Sequence, residues 1–417
     1  MKTRKVYWLS FLMGVLLLLS GAGQAAGVTI RWWVWMWDNP WQQETWTASA
    51  QAFEQRTGIK VQIENVVWDQ ISDKLRAAVI AGNPPDVVMI LRSDTYWLAE
   101  AGLLSDLTEL AKAEIDLADF RPGTIEDVTV NGRIYAIPWR RDGYSLAVNT
   151  EILQKVGILY PPNTLDEVKA YAARVVEALP GVYGWGMCLG KKTAAFYRWE
   201  NVFYSYGGDW LTPDGKSVAP NFLEAATKAF EFHAEMAKYA PPSALQDTDD
   251  DVLRLAAAGK IAMWQEHLSG WRQAQGLFTP EMLAHVQWVY FPEGKFDPAT
   301  RTSYRYTGTG GWNIAIPKGA PNFQAAWEFV KYWTSPENMG ACVLTLPARI
   351  SAMEHPRIAA IPEAFKFGAL KPTLTGPFVQ DIRTLVWEQL QAVVLGTVTP
   401  QKAAETVYAK LNELLGK

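Results

Sequence analysis

Cysteine and histidine are scarce in this chain of 417 residues, and net positive charge is absent. Two cysteines, Cys188 and Cys342, cannot build a disulfide framework or a thiolate metal site, so they read as buried free thiols. Four histidines, His233, His267, His285 and His355, show no spacing of the H-E-x-x-H kind, and neither a metal nor a cofactor is expected. "GWGMCLGKKT" is not a phosphate loop, because Trp185 stands where its first glycine belongs and Lys192 where its hydroxyl belongs. "GTGGW" lacks the third glycine and the helix start of a dinucleotide loop, and no G-x-S-x-G elbow is present. No catalytic residue is therefore assigned. The formal net charge of -4 gives no electrostatic basis for binding nucleic acid. Internal repeats and low-complexity tracts are missing too.

The one long apolar run, Val6 to Leu19, lies behind the basic residues Lys2, Arg4 and Lys5 and ahead of the small residues Gly23, Ala25 and Ala26. This is the layout of a secretory signal peptide spanning residues 1–26, and the run is shorter than the roughly 20 residues a membrane span needs. No cysteine follows it for lipid attachment. A periplasmic chain of formal charge -7 is expected once the three basic residues are removed with the leader.

Aromatic residues, by contrast, are abundant. Twenty tryptophans and sixteen tyrosines exceed what packing alone requires, and these side chains join a flat apolar face to a polar edge. Five of the tryptophans fall in "IRWWVWMWDNPWQ", residues 30–42. Strand alternation puts Trp33, Trp35 and Trp37 on one face and Trp32 on the other, so those within the strand read as core, and only the end from Trp37 to Trp41 reaches outward.

Strand-like and helix-like runs alternate along the mature chain, which predicts an α/β architecture with mainly parallel sheets. Strands are expected at "VTIRWWVWMW", "IKVQIENVV" and "PPDVVMI". Trp46, Ala50 and Phe53 mark the buried face of a first helix ending at Gly58. The next helix carries Ile71, Leu75, Ala78 and Val79 between the caps Asp69 and Gly82. Thr164 and Glu167 have capping-box spacing, and Thr399 with Pro400 starts a last helix. The acidic run "QDTDDD" is read as a cap on the following helix, since its spacing does not fit a calcium loop.

Aromatics also recur beside polar residues in loops: Trp37, Asp38, Asn39 and Trp41; Arg92, Asp94 and Tyr96; Trp139, Arg140, Arg141, Asp142 and Tyr144; Tyr197, Arg198 and Trp199; and Trp271 after Gly270. An indole covers the C–H face of a sugar ring, while carboxylates, amides and guanidinium groups meet its hydroxyl rim. The pattern points to saccharide binding. A core rich in indole, and charges snorkelling beside surface aromatics, are the structural readings of the same residues.

Ten stretches in order, among them "KLRAAVIAGNPPDVVMI", "LAEAGLLSDLTEL", "VNGRIYAIPWRRDGYSLAVNTEIL", "LAAAGKIAMWQEHLSGW", "GTGGWNIAIPKG" and "LPARISA", resemble the family 1 extracellular solute-binding proteins. These are maltose-binding-protein-like, sugar-capturing components of ABC importers. The resemblance covers essentially the whole mature chain. It implies a two-lobe periplasmic binding protein fold of type II, each lobe a mainly parallel sheet flanked by helices, with three interlobe crossings. The lobes it implies are 27–141 with 308–341, and 142–307 with 342–417. By the same analogy the crossings fall near Pro138 to Tyr144, Tyr306 to Gly311 and Gly340 to Pro347.

Carried over residue by residue, the resemblance implies a ligand site of Trp37, Asp38, Asn39, Trp41, Arg92, Asp94, Tyr96, Arg141, Asp142, Tyr144, Tyr197, Trp199, Glu266, Trp271, Trp312 and Arg349. "WQEHLSGW" is longer than the family's usual passage at Glu266 and Trp271. The implied partners are a saccharide and the inner-membrane permease, for a monomer that binds no nucleic acid. Arg92, Arg140 and Arg141 motivate an alternative on the same fold, an anionic ligand such as a sugar phosphate, glycerol phosphate ester or uronate. A secreted glycoside hydrolase with a pair of cleft carboxylates is the alternative of a different class.

Overall fold

The computed structural model describes residues 27–35, 40–121, 123–343, 345–367 and 370–416. The strands that position the site are, in chain order, β1 (Thr29–Val34), β2 (Lys60–Asn65), β3 (Val87–Leu91), β4 (Ile137–Asp142), β5 (Tyr144–Asn149), β6 (Tyr183–Gly186), β7 (Ile261–His267), β8 (Val286–Val289), β9 (Thr307–Ala315), β10 (Leu346–Pro347) and β11 (Leu370–Pro372). One sheet has the order β10-β4-β9-β3-β1-β2, with β11 beside β9; the second has the order β8-β5-β7-β6.

Both sheets are mixed rather than mainly parallel. In the first, β1 pairs parallel with β2 and β3, while β9 runs antiparallel to β3 and β4. In the second, β5 is antiparallel to β7 and β8, and only β6 and β7 run parallel. The connectivity explains this. Strand β4 leaves the first lobe and β9 returns to it, so the two travel in opposite directions and pair antiparallel.

Each sheet is sealed by its own core. Trp32, Trp46, Trp139, Trp327 and Trp333 lie fully buried in the first, and Trp199, Phe203, Phe222 and Phe230 in the second. Cys188 and Cys342 are free, buried and in different cores. Helix ends follow the local chemistry read from the sequence. Thr164 and Glu167 form a capping box on helix Leu165–Ala178, and Thr399 accepts from Lys402 at the start of Pro400–Leu414. Gly58 follows helix Pro40–Thr57 with φ 73°. One cap differs: helix Ile71–Ile80 has Gln70, not Asp69, at its N-cap, with no side-chain bond. Among the described residues no helix is long and apolar enough to cross a membrane.

The crossings lie side by side. Strand β4 passes through Gly143 into β5, Gly310 of β9 pairs with Asp142, and Thr307 pairs with Leu370. The last crossing falls later than Gly340 to Pro347. Cys342, Val343, Leu346, Ala348, Ala352, Ile358, Ile361 and Phe365 pack in the first core, and Leu374 is in the second. The segment 342–365, assigned to the second lobe from the sequence, thus packs with the first because β10 pairs with β4 there.

Candidate ligand-binding cleft

A cleft of about 380 Å³ opens where the two lobes meet. The first lobe lines it with Trp35 after β1, Asn65 to Trp68 at the end of β2, and Leu91 at the end of β3. That is the position expected of a ligand site in an open α/β sheet, beyond the carboxyl ends of the parallel strands. Arg140, Asp142, Gly310, Gly311 and Trp312 of the crossing strands form the floor. Gly311 has φ 145°, and a Cβ there would fall 2.4 Å from the Arg140 carbonyl oxygen, so only glycine lets β9 approach β4 so closely.

The second lobe contributes Tyr144, Lys191, Ala194, Tyr197, Asp249, Asp250, His267, Ser269 and Gln273. Several of these stand at the first turns of helices Lys192–Ser205, Asp249–Ala257 and Leu268–Leu277. Three helix N-termini therefore converge on the cleft, favouring electron-rich ligand atoms such as oxygens.

The floor carries a tight ion pair between indoles. Arg140 Nη2 lies 2.9 Å from Asp142 Oδ2, and the guanidinium sits 4.4 Å over the Trp35 ring. Trp312 packs 4.6 Å from Trp35. Burial pulls the Arg140 pKa down, and Asp142 opposes that shift. Arg140 Nε and Nη1 and Asp142 Oδ1 are buried without a hydrogen-bond partner among the described residues. Two donors and one acceptor are thus left unmet side by side, each at a cost of about 1–3 kcal/mol until something satisfies it.

The sequence-predicted residues divide into three groups. Asp142, Tyr144, Tyr197 and Trp312 line the cleft. Trp37, Asp38 and Asn39 lie outside the described residues. The other nine do not line it, and the structure gives each a different setting. Trp199 is fully buried in the second core, stacked 5.2 Å from Phe203. Arg92 is held by both carboxylate oxygens of Asp127, and Arg141 lies 3.2 Å from the same carboxylate. Burial, reinforced by the neighbouring Arg92 charge, lowers the Arg141 pKa to about 9.

Asp94 accepts from Ser72 at 2.8 Å and from Gln380 at 3.1 Å, with Arg383 at 3.4 Å. It ties the loop after β3 to the helix Val379–Val394, across the lobes. Tyr96 packs half-buried against the first core. Arg349 donates to the Thr334 carbonyl and pairs with Asp119 at 3.0 Å. Trp41 is covered by the Arg357 guanidinium at 3.9 Å, and Trp271 by Arg272 at 4.5 Å while it packs on the first core. Glu266 is turned inward, one layer behind His267.

Sequence reasoning missed Trp35, Trp68, Lys191, Asp249, Asp250, His267, Ser269 and Gln273 as cleft residues. Trp68 had a usable signal, since an indole followed by Asp69 at a strand end fits the criterion applied elsewhere. Asp249 was read only as part of a cap, and that reading was sound: Thr248 and Asp251 form a capping box on its helix. Trp35 is fully buried in the first core, as expected from the sequence, and borders the cleft only behind Arg140 and Trp312.

Two lobes joined by three adjacent crossings, with an aromatic and polar cleft between them, define a type II periplasmic binding protein. The family profile described as Bacterial extracellular solute-binding protein matches residues 39–340, and the chain belongs to that family. It is 27% identical over 327 residues to the diacetylchitobiose binding protein DasA of Streptomyces coelicolor, covering 75% of this chain and 70% of that one. A solute-binding protein of Thermotoga lettingae, solved bound with alpha-D-tagatose, superposes with a TM-score of 0.80 at 25% identity, covering 93% of this chain and 100% of that one. Maltose-bound MalE3 of T. maritima superposes with a TM-score of 0.79 at 23% identity, over 93% of this chain and 100% of that one, and shares the fold. These relatives are ABC solute-binding proteins rather than enzymes.

Proposed function

We propose that this chain is exported to the periplasm as a monomer, captures a neutral saccharide in the interlobe cleft and delivers it to an ABC permease. The observation that carries this reading is the Arg140–Asp142 pair set between indoles. A sugar hydroxyl accepts from a guanidinium and donates to a carboxylate, so adjacent hydroxyls suit this paired floor. Trp312 on the floor and Trp68 on the wall offer apolar planes for the C–H face of a ring, with the buried Trp35 packed behind Trp312. The cleft volume suits a ligand of one or two sugar rings, within the range of about 300–1,000 Å³ usual for small-molecule sites. Closure of the lobes buries the ligand, and a permease distinguishes the closed shape from the open one.

In this reading Asp142, Tyr144, Tyr197 and Trp312 contact the ligand. Arg92, Arg141, Asp94 and Arg349 hold the surrounding frame instead. Titration with a panel of mono- and oligosaccharides, followed by tryptophan fluorescence and calorimetry, tests it. Saturable binding of at least one sugar is expected, and binding to none of them overturns the reading.

An anionic ligand is favoured by one observation, the presence of Arg140 and Lys191 in the cleft. Three carboxylates, Asp142, Asp249 and Asp250, stand against them, and Arg92 and Arg141 are committed to Asp127. A neutral sugar should bind almost independently of added salt, whereas a phosphate ester or uronate should lose affinity as salt rises.

A further inference from the structure

The wall opposite the aromatic floor holds a group of ionisable side chains that stacking does not explain: Arg198, Asp249, Glu266 and His267. Arg198 Nη2 lies 2.6 Å from Asp249 Oδ1 and 3.9 Å from Glu266 Oε1. Glu266 faces inward, its Oε2 accepting from Trp264 Nε1 at 3.1 Å and its Oε1 from the His267 backbone N–H at 3.0 Å. Room for it exists because residue 270 is glycine; a Cβ there would fall 2.1 Å from Glu266 Oε1.

His267 faces the cleft, with about a quarter of its side chain exposed. Its Nδ1 accepts the Gly270 backbone N–H at 2.9 Å, so the neutral ring carries its proton on Nε2. Burial, only partly opposed by Asp249, holds the imidazole pKa down at about 4 and keeps the ring neutral at physiological pH. Nε2 lies 3.9 Å from Asp249 Oδ1 and 3.7 Å from Glu266 Oε1, beyond hydrogen-bond reach of either. His267 Nε2–H and the Asp249 carboxylate thus stand beside each other on the cleft wall, with Asp249 Oδ1 itself buried against Arg198.

We propose that one ligand hydroxyl joins the two, accepting from His267 Nε2–H and donating to the exposed side of the Asp249 carboxylate. A hydroxyl performs both roles, whereas a carboxylate or phosphate oxygen has no proton to donate and meets the Asp249 charge. His267 and Asp249 are therefore specificity-determining residues, Arg198 holds Asp249, and Glu266 positions the backbone of His267. The contact rests on the saccharide reading above and names the second lobe's share in it.

The test uses the full mature chain and the tightest-binding sugar of the panel. In long-range spectra of ¹⁵N-histidine-labelled protein, His267 should show the Nε2-protonated tautomer, and the sugar should shift Nε2 far more than Nδ1. His267→Phe should weaken that sugar about tenfold or more, and the penalty should vanish against the monodeoxy analogue that lacks the bridging hydroxyl. If the sugar binds the wild type but leaves Nε2 unmoved, or binds His267→Phe equally well, the bridge is wrong while the saccharide reading stands. If no sugar binds the wild type, the saccharide reading itself falls, and the bridge with it. Should His267→Phe fail to fold, the wild-type spectra decide alone.

Discussion

Both lobes spend tryptophan on their cores, yet only one brings it to the cleft. In the first lobe Trp32 stacks on Trp46 at 5.3 Å, Trp46 meets Trp139 at 5.4 Å, and Trp35 continues the array to Trp312 at the cleft floor. In the second lobe Trp199 packs among Phe203, Trp210 and Phe230 and goes no farther. The second lobe instead faces the cleft with polar groups at helix starts, Lys191, Asp249 and His267. In the saccharide reading proposed above, one wall meets the apolar face of the sugar and the other its hydroxyls. Trp312 packs on the first core and also lines the cleft, while Trp199 packs in the second core alone.

The largest expected effect tests the closed cluster. Trp199→Ala should cost about 3–5 kcal/mol in denaturant unfolding, the usual loss for a fully buried aromatic, while the fraction that folds binds sugar as the wild type does. A parallel loss of affinity would mean that the second-lobe indoles also reach the ligand.

Acid should act on the same lobe next. His233 is buried, and burial lowers its pKa to about 4 despite the bond to the Ala229 carbonyl. The unfolded chain takes up its proton at higher pH than the folded one. Stability is therefore complete above pH 6.5, falls as pH drops toward about 4, and loses about 3 kcal/mol at most from this group. A neutral, shape-conserving substitution at His233 should remove part of the pH slope across that window, the rest belonging to His267. An unchanged slope would refute the assignment.

For the first lobe, Trp312→Ala should weaken sugar binding about 10- to 100-fold and lower the unfolding midpoint as well. Calorimetry and thermal unfolding on one preparation separate the two losses. If either is missing, the shared role of the floor indoles is wrong. Trp41→Ala should have the smallest effect, less than about threefold on affinity, because Arg357 covers its ring outside the cleft. A large loss by calorimetry would return Trp41 to the site.

How much of this was legible in the sequence varied by level. The order of elements, the caps at Thr164 and Thr399, and the buried faces through Trp46, Phe53 and Leu75 follow from local spacing, and the structure has them. Sheet direction did not follow, because alternation along a strand says nothing about which way its neighbour runs. The cleft was half legible. Asp142, Tyr144, Tyr197 and Trp312 reach it from the crossings and the second-lobe wall. Trp199 and Trp271 look the same as cleft aromatics in one dimension, but packed neighbours cover them.

The sequence by itself determined the family, the alternation of strands and helices, and the surplus of aromatics beside polar groups. These depend on local periodicity and on residue types in order. Only the tertiary structure decided which of those groups are free to meet a ligand. Asp127 takes up Arg92 and Arg141, and Arg383 meets Asp94 from 289 residues away. A charge or an indole is available to a ligand only when nothing else in the fold covers it, and covering groups arrive from distant parts of the chain.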